Sequence, residues 1–521
     1  MDHGFRLKAH PDGGVLTSGF FRNQATFGAG EPNATILSAP SGQPNLYLAR
    51  YDNDGSLIWV KQAGGPNDDQ PFAIDLMPDG GCVVTGYFYT RTTFGNGELN
   101  ETSLDSGGGY DLFVARFDDN GSLLWARRAG GPGSEAGRSI RALPDGGFLV
   151  SGWCAAGAVF GPGELYQTTL SSGGSFLAKY ADNGDFLWVR SNSASSAYLG
   201  ALPDGSSIVA SSFTGSVTLG SGEPNQTTLT ALSGGTDLFS ARFDPDGQLV
   251  WVKHAGRMGG NLQPWGIEVL SNGAATVVGS LTGSAAFGQG EEDETDLLPI
   301  GGAGGFIARF NPDGSLNWAR AEGGAIGESA VARANGKTIV TGFFGGTATF
   351  GWGEPHETSL VSAGGFDVFL AEYDADGDFE WARREGGPAQ DIAFDLALVG
   401  PSDVIVNGWF GATAVFGQGE PEQISLGSAG DVDVFAARYT FIEPVEVLYP
   451  NGGEVLQVGS QIGVQWKIYV PAAGTAVKLE LWNAAGRVAD LGYGGSPTGA
   501  GETLIYVPPV PEGSDYRLRA I

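Results

Sequence analysis

At 521 residues the chain is longer than one ordinary compact domain, and its 87 glycines follow no Gly-x-y period, which excludes collagen. Asp and Glu outnumber Lys and Arg 58 to 28, a net charge of −30 that makes nucleic acid and anionic membranes poor partners. Such a surface suits a soluble protein outside the cell and leaves Ca2+ or cationic partners open as ligands.

Apolar content is near the globular average and 30 Phe are present, enough for a large core. Abundant Gly with Val, Thr, Phe and Trp points to short strands joined by tight turns. No run of apolar residues is long enough to span a membrane. The opening stretch, MDHGFRLKAHPDGG, lacks an apolar signal core, so an export signal would lie upstream. Cys82 and Cys154 form no CxxC pair and read as buried small apolar side chains.

The strongest signal is internal repetition. A Gly-x-Gly-Glu box, usually preceded by Phe, occurs at Phe27–Glu31, Phe94–Glu98, Phe160–Glu164, Leu219–Glu223, Phe287–Glu291, Phe350–Glu354 and Phe416–Glu420. These seven copies are spaced by about 65 residues. Each carries four strand-like runs, a to d. In the third copy they are Arg138–Leu143, Phe148–Trp153, Phe176–Tyr180 and Phe186–Arg190. Pro144-Asp145-Gly146-Gly147 turns a into b, and Asp182-Asn183-Gly184 turns c into d. A longer b–c connection holds the box and a Thr-Thr-Leu segment. Run c alternates apolar and polar residues, as in Asp111–Phe117, which argues strand and not helix. Four antiparallel strands repeated seven times predict an all-β, seven-bladed β-propeller of four-stranded antiparallel blades over residues 1–440; a solenoid is the competing architecture.

Val83–Phe88, Asp367–Tyr373 with Asp374-Ala375-Asp376-Gly377, and Trp381 with Gly386-Gly387 carry a family resemblance. The repeats resemble the bacterial seven-bladed β-propeller repeat family. The resemblance implies an extracytoplasmic bacterial protein and no particular activity.

Run d carries a Trp in six copies: Trp59, Trp125, Trp188, Trp251, Trp318 and Trp381. The chain opens on run a, Gly4–Ala9, and the seventh copy ends on run c, Asp433–Tyr439. The expectation is a ring cut between c and d, its missing outer strand lying before Met1 or its last blade short.

After Pro444 the repeat stops. Val445–Tyr449, Pro450-Asn451-Gly452-Gly453-Glu454, Gly459, Trp466, the runs Val477–Trp482 and Thr503–Val507, and a closing Tyr516-Arg-Leu-Arg follow. Residues 445–521 resemble the Ser/Thr-rich, yeast cell-wall-type Ig-like module of bacterial secreted proteins, departing from it at Leu456 and Tyr506. The resemblance implies a small Ig-like β-sandwich, truncated if another strand follows Ile521, that serves as a spacer or wall-associated module.

No catalytic constellation is assembled. His3, His10, His254 and His356 show no metal-ligand spacing. The recurrent Trp reads as inter-blade packing, with a sugar platform as the sharper alternative. The Asp52/Asp54, Asp244/Asp246 and Asp374/Asp376 turns have two donors before Gly and fit hairpins better than calcium loops. Glu31, Glu98, Glu164, Glu223, Glu291, Glu354 and Glu420 read as one structural hydrogen bond per blade, or as a ring of acids that binds a cation. Asn33-Ala-Thr35, Asn100-Glu-Thr102 and Asn225-Gln-Thr227 match glycan acceptors but read as repeat residues.

In an a-b-c-d meander the b–c and d–a connections share one face, and only that face is elaborated. His254, Arg257, Trp265, Tyr166, Trp352 and His356 differ most between repeats and are the candidate ligand-binding residues. The expected function is a non-enzymatic extracellular or cell-surface binding and adhesion module for a polysaccharide or surface protein. A propeller lyase or glycosidase, and a structural subunit of a fibre or surface layer, are the alternatives.

Overall fold

The computed structural model describes residues 2–39, 41–232, 234–333, 335–400, 403–441, 445–449, 457, 460–468, 477–483, 486–494, 500–507 and 517–520. The chain divides into two compact units, Met1–Tyr439 and Thr440–Ile521.

In the first unit repeats 1 to 6 each form an antiparallel sheet in the order a-b-c-d. In the third repeat these are Ala136–Ala142, Phe148–Cys154, Gly174–Tyr180 and Phe186–Asn192. Tight turns make the a–b and c–d corners. Asp118 Oδ1, for example, accepts the N–H groups of Asn120 (3.0 Å) and Ser122 (2.7 Å). Repeats 1 to 4 give separate four-stranded sheets. Repeats 5 and 6 merge into one seven-stranded sheet because a single strand, Leu316–Ala332, is d of one and a of the next. Among the described residues repeat 7 has three strands, Asp391–Val399, Asp403–Phe416 and Ile424–Thr440.

Strand b is the most buried element, as in Val15–Phe21 and Ser207–Phe213, which are buried at every position. Such strands are flanked within their sheet and covered on both faces by neighbouring repeats. The strands a pack side by side in succession, and a of repeat 1 (Asp2–Ala9) lies against a and b of repeat 7. That junction is tied by Arg6 Nη1 to the Phe394 carbonyl (2.6 Å), the Leu7 N–H to Asp395 Oδ2 (3.0 Å) and Asn407 Nδ2 to Thr17 Oγ1 (3.2 Å). The arrangement is propeller-like.

The b–c connection is not a loop, as its sequence suggests, but a second hairpin. It pairs Asn23–Phe27 with Thr35–Ala39 in repeat 1, and in repeat 2 it continues strands b and c as Cys82–Phe94 and Thr102–Phe117. Its buried Phe packs beneath it, as Phe94 does on Phe113 with ring centroids 5.0 Å apart. Cys82 and Cys154 are buried and unbridged.

Among its described residues the second unit holds two three-stranded antiparallel sheets. One orders Val445–Tyr449, Gln461–Ile468 and Ala500–Tyr506; the other orders Gly486–Gly494, Val477–Asn483 and Arg517–Ala520. Val464, Leu481, Ile505 and Val507 are buried. Pro450–Glu454, Leu456, Gly459 and Tyr516 lie outside the described residues.

Candidate functional site at the inner strands

The box glutamates come first because they recur. The box turn folds back against the first residue of strand d in its own repeat. In six repeats the glutamate Oε2 accepts that residue's N–H: Glu31 from Leu57, Glu98 from Leu123, Glu164 from Phe186, Glu223 from Leu249, Glu291 from Leu316 and Glu354 from Phe379, at 2.5–2.7 Å. The other oxygen faces the d-strand cation of the preceding repeat. Lys61 Nζ reaches Glu98 (2.7 Å), Lys253 Nζ reaches Glu291 (2.5 Å), and Arg383 pairs with Glu420. Each such carboxylate therefore has one strand terminus and one neighbouring repeat to satisfy. The seven are spread one per repeat and are not gathered around a common point. Among the described residues no group of three or more His, Cys, Asp or Glu is placed to hold a metal ion. Asn33, Asn100 and Asn225 clamp the same d residue from its carbonyl side, at 3.0–3.2 Å.

The six candidate ligand-binding residues are not brought together. Tyr166, Trp352 and His356 stand exposed at box-hairpin tips, beside the start of strand d. Arg257 lies past the far end of strand d, where it pairs with Asp296 (2.7 Å). His254 sits within strand d, Leu249–Ala255, its Nε2 2.6 Å from the buried Asp237. Arg128 and Arg384 make the same contact with Asp111 and Asp367, at 2.7 and 2.8 Å. His254 thus occupies a structural position of the repeat. Only Trp265 points to the inner strands.

There the structure brings Trp265 together with five residues that the sequence does not single out. In six repeats strand a carries a β-bulge at one level: between Gly4 and Arg6, Pro71 and Ala73, Gly137 and Ser139, Pro264 and Gly266, Gly327 and Ser329, and Ala393 and Asp395. The residues inserted are Phe5, Phe72, Arg138, Trp265, Glu328 and Phe394. A bulge leaves one residue unpaired and re-aims its side chain. Because strand a is the edge that meets the other strands a, these six point toward the common inner region.

Phe5 packs edge-on to Phe72 and Phe394, centroids 6.0 and 5.4 Å apart. The Arg138 guanidinium lies 5.0 Å from the Phe72 ring and 5.2 Å from Tyr198, whose hydroxyl accepts from its Nε and Nη2 at 3.0 and 2.8 Å. Burial pushes the Glu328 carboxyl up to about 7, against the pull of Arg6 and Arg138. Toward the a–b turns a second tier carries Lys8 and Asp75, 3.5 Å apart, with Glu268, whose carboxyl burial also raises. The first tier offers aromatic faces, one guanidinium and one carboxylate within a few residues of the d–a connections. Nothing in the repeat consensus marks these positions, since their identity changes from copy to copy. The signal available in sequence is that variation within strand a, and it singles out Trp265 alone.

No family model matches the chain. It is similar to an uncharacterized WD repeat-containing protein of Acanthamoeba polyphaga mimivirus, 21% identical over 493 residues that cover 78% of this chain and 34% of the relative. It is also similar to the regulatory protein FlaEY of Caulobacter vibrioides, 24% identical over 144 residues, 28% of this chain and 15% of the relative. The chain thus spans about a third of one of these curated relatives and about a seventh of the other. A solved protein of unknown function from Bacteroides caccae superposes with a TM-score of 0.31 at 13% identity, over 65% of this chain and 89% of that one. The chain is thus an all-β protein of several four-stranded antiparallel sheets with a distant WD repeat-containing relative. No helix among the described residues is long and apolar enough to cross a membrane.

Proposed function

We propose that residues 1–440 form a closed seven-bladed β-propeller, that residues 445–521 form an Ig-like sandwich, and that the propeller is a non-enzymatic binding module working outside the cell or at its surface. The observation that carries the binding reading is the inner tier: the one bulge position where the repeats diverge supplies Phe5, Phe72, Arg138, Trp265, Glu328 and Phe394. Aromatic rings and Arg with little other charge are the composition of protein-binding hot spots. A protein partner is therefore favoured over a polysaccharide, and the WD-repeat relative supports a repeat scaffold of that kind. The ring itself is supported by the contacts between repeats 1 and 7.

The test is a pull-down from the producing community with a glycan array in parallel, each run with the native chain and with R138A and W265A. A protein retained by the native chain and lost with both variants supports the reading. Glycan binding with the same dependence moves the ligand to polysaccharide. Retention unchanged in both variants overturns the inner tier as the site.

A raised carboxyl such as Glu328 can serve as a general acid, which keeps a polysaccharide lyase or glycosidase as the second reading. Polysaccharide cleavage that E328Q abolishes would establish it.

A further inference from the structure

Six of the seven boxes set an aromatic ring on the same partner. Phe27 lies on Tyr47, Phe94 on Phe113, Phe160 on Phe176, Phe287 on Phe306, Phe350 on Phe369 and Phe416 on Phe435, with ring centroids 4.6–5.5 Å apart. The second ring of each pair stands on strand c of the same repeat. Repeat 4 keeps that ring, Phe239 in Asp237–Phe243, but its box carries Leu219 instead of Phe.

At this place a cavity of about 90 Å3 opens between repeats 3 and 4. Its floor is apolar and buried, and includes Leu219, Phe239 and Val209 of repeat 4 with Leu177 of repeat 3. Its mouth is polar, with Arg190 and Asn192 of strand d in repeat 3 facing Glu223 of the box turn. The matching cleft between repeats 1 and 2 runs between Lys61 and Glu98 and reaches no residue of strands a or b. There the box ring, Phe94, is present and fully buried.

Two polar changes accompany Leu219. Elsewhere the strand-d cation closes on the box glutamate of the next repeat, Lys61 on Glu98 at 2.7 Å and Lys253 on Glu291 at 2.5 Å. Arg190 instead donates to the carbonyls of Gly247 (3.2 Å) and Asp246 (3.0 Å), lies 5.3 Å from the Trp188 ring centroid, and stands 4.0 Å from Glu223 Oε1. Glu223 Oε2 accepts the Leu249 N–H (2.6 Å), which leaves Oε1 as an acceptor at the mouth. The second change is a neutral pair. Ser175 Oγ donates to Asn192 Oδ1 (2.9 Å) where Asp111 and Arg128, or Asp367 and Arg384, form an ion pair in other repeats. Arg190 and Glu223 are thus the charged groups of the lining.

We propose that this cavity binds a small phenol. Its ring lies against Phe239, where a box ring lies in the other six repeats, and its O–H donates to Glu223 Oε1. A hydrogen bond to an ionised acceptor is about twice as strong as a neutral one. An enclosed apolar cavity of about 150 Å3 takes benzene. A cavity of about 90 Å3 with an open mouth takes one ring with its hydroxyl at the entrance. In that pose the para position faces the closed floor, so a tyrosyl side chain, which leaves its ring there, does not fit. The net charge of −30 disfavours aromatic acids. The cavity shares no residue with the inner tier, so this inference is independent of the function proposed above.

The experiment titrates phenol into the 521-residue protein, methyl-labelled at Leu and Val, and follows it by NMR. Saturable shifts at Leu219, Val209 and Leu177 are expected, with a dissociation constant of about 0.1–1 mM and nuclear Overhauser contacts from the phenol ring to Leu219. Toluene should bind about tenfold more weakly, and N-acetyltyrosinamide should leave these methyls unmoved. L219F, which restores the box ring, should remove binding; the Overhauser contacts in the native protein read the site even if that variant folds poorly. Absence of saturable binding, contacts only to methyls elsewhere, or toluene binding as tightly as phenol would overturn the proposal. So would N-acetyltyrosinamide shifting these methyls, or a folded L219F that binds phenol as the native protein does.

Discussion

Lys61 Nζ lies 2.7 Å from Glu98 Oε1, so that a cation on the outer strand of one repeat is bound to the box glutamate of the next. The same carboxylate accepts the buried Leu123 N–H through its other oxygen, and these two partners hold its pKa below the usual range. Repetition of this bond explains why Glu and the Lys or Arg two residues after Trp recur together.

The two halves of that bond differ in weight. The Lys61–Glu98 pair is partly exposed and should contribute about 0.2–1 kcal/mol. Removing the carboxylate also strands a buried N–H, which costs about 1–3 kcal/mol. Chemical denaturation should therefore show E98A clearly more destabilising than K61A. Equal losses would mean that the ion pair alone matters.

The Trp59 ring lies against Gly121, 2.8 Å from where its Cβ would stand, and predicts a contrast with Gly55. Gly55 and Gly121 both hold positive φ, 81° and 76°. Alanine at either position bears left-handed strain of about 1–2 kcal/mol. Only at Gly121 would its Cβ also strike a Trp ring, adding roughly 1–3 kcal/mol of overpacking. G121A should unfold at lower denaturant than G55A; the reverse order would contradict the packing of Trp59 on Gly121.

Buried carboxyls set the pH dependence. Burial pushes Asp69 and Glu322 up to about 8, and Glu328 and Glu385 up to about 7. Each folded value lies above the unfolded one. Their contribution is thus full below the ordinary carboxylate range and is lost as pH rises through about 7 to 8. The net charge of −30 acts in the same direction. Scanning calorimetry should give a higher Tm near about pH 5.5 than near about pH 8.5, with a shallower slope in E328Q. A Tm that rises across that interval would refute these assignments.

Burial also pushes both thiols, Cys82 and Cys154, up to about 12. A disulfide reagent should leave them untouched in the folded protein and titrate two thiols in denaturant. Fast reaction of either one in native buffer would place it at the surface.

The strand pattern was legible because each run alternates or is bounded by Pro-Asp-Gly and Asp-Gly turns, which is local chemistry. The third repeat shows it: Phe148–Trp153 was expected and Phe148–Cys154 is found. The hairpin between b and c was not legible, because its Thr-rich strands are short and its box turn reads as loop. His254 and Arg257 attracted attention as departures from the repeat, yet His254 merely replaces the Arg that covers an inner Asp in repeats 2 and 6. Of the inner tier only Trp265 stands out in the sequence. A bulge is set by pairing with strand b, and nothing in Phe5, Arg138 or Glu328 alone announces that its side chain turns inward.

Closure of the ring is tested most directly across its own junction. Arg438 Nη1 lies 2.7 Å from Asn53 Oδ1, although 385 residues separate them in sequence. In the double variant N53C/R438C, with the two native thiols buried, a short bis-maleimide should join peptides containing residues 53 and 438 within one chain at nanomolar protein. Near-complete intramolecular linkage is the result the closed ring predicts. Two independently capped cysteines, with no linked peptide pair, would contradict it.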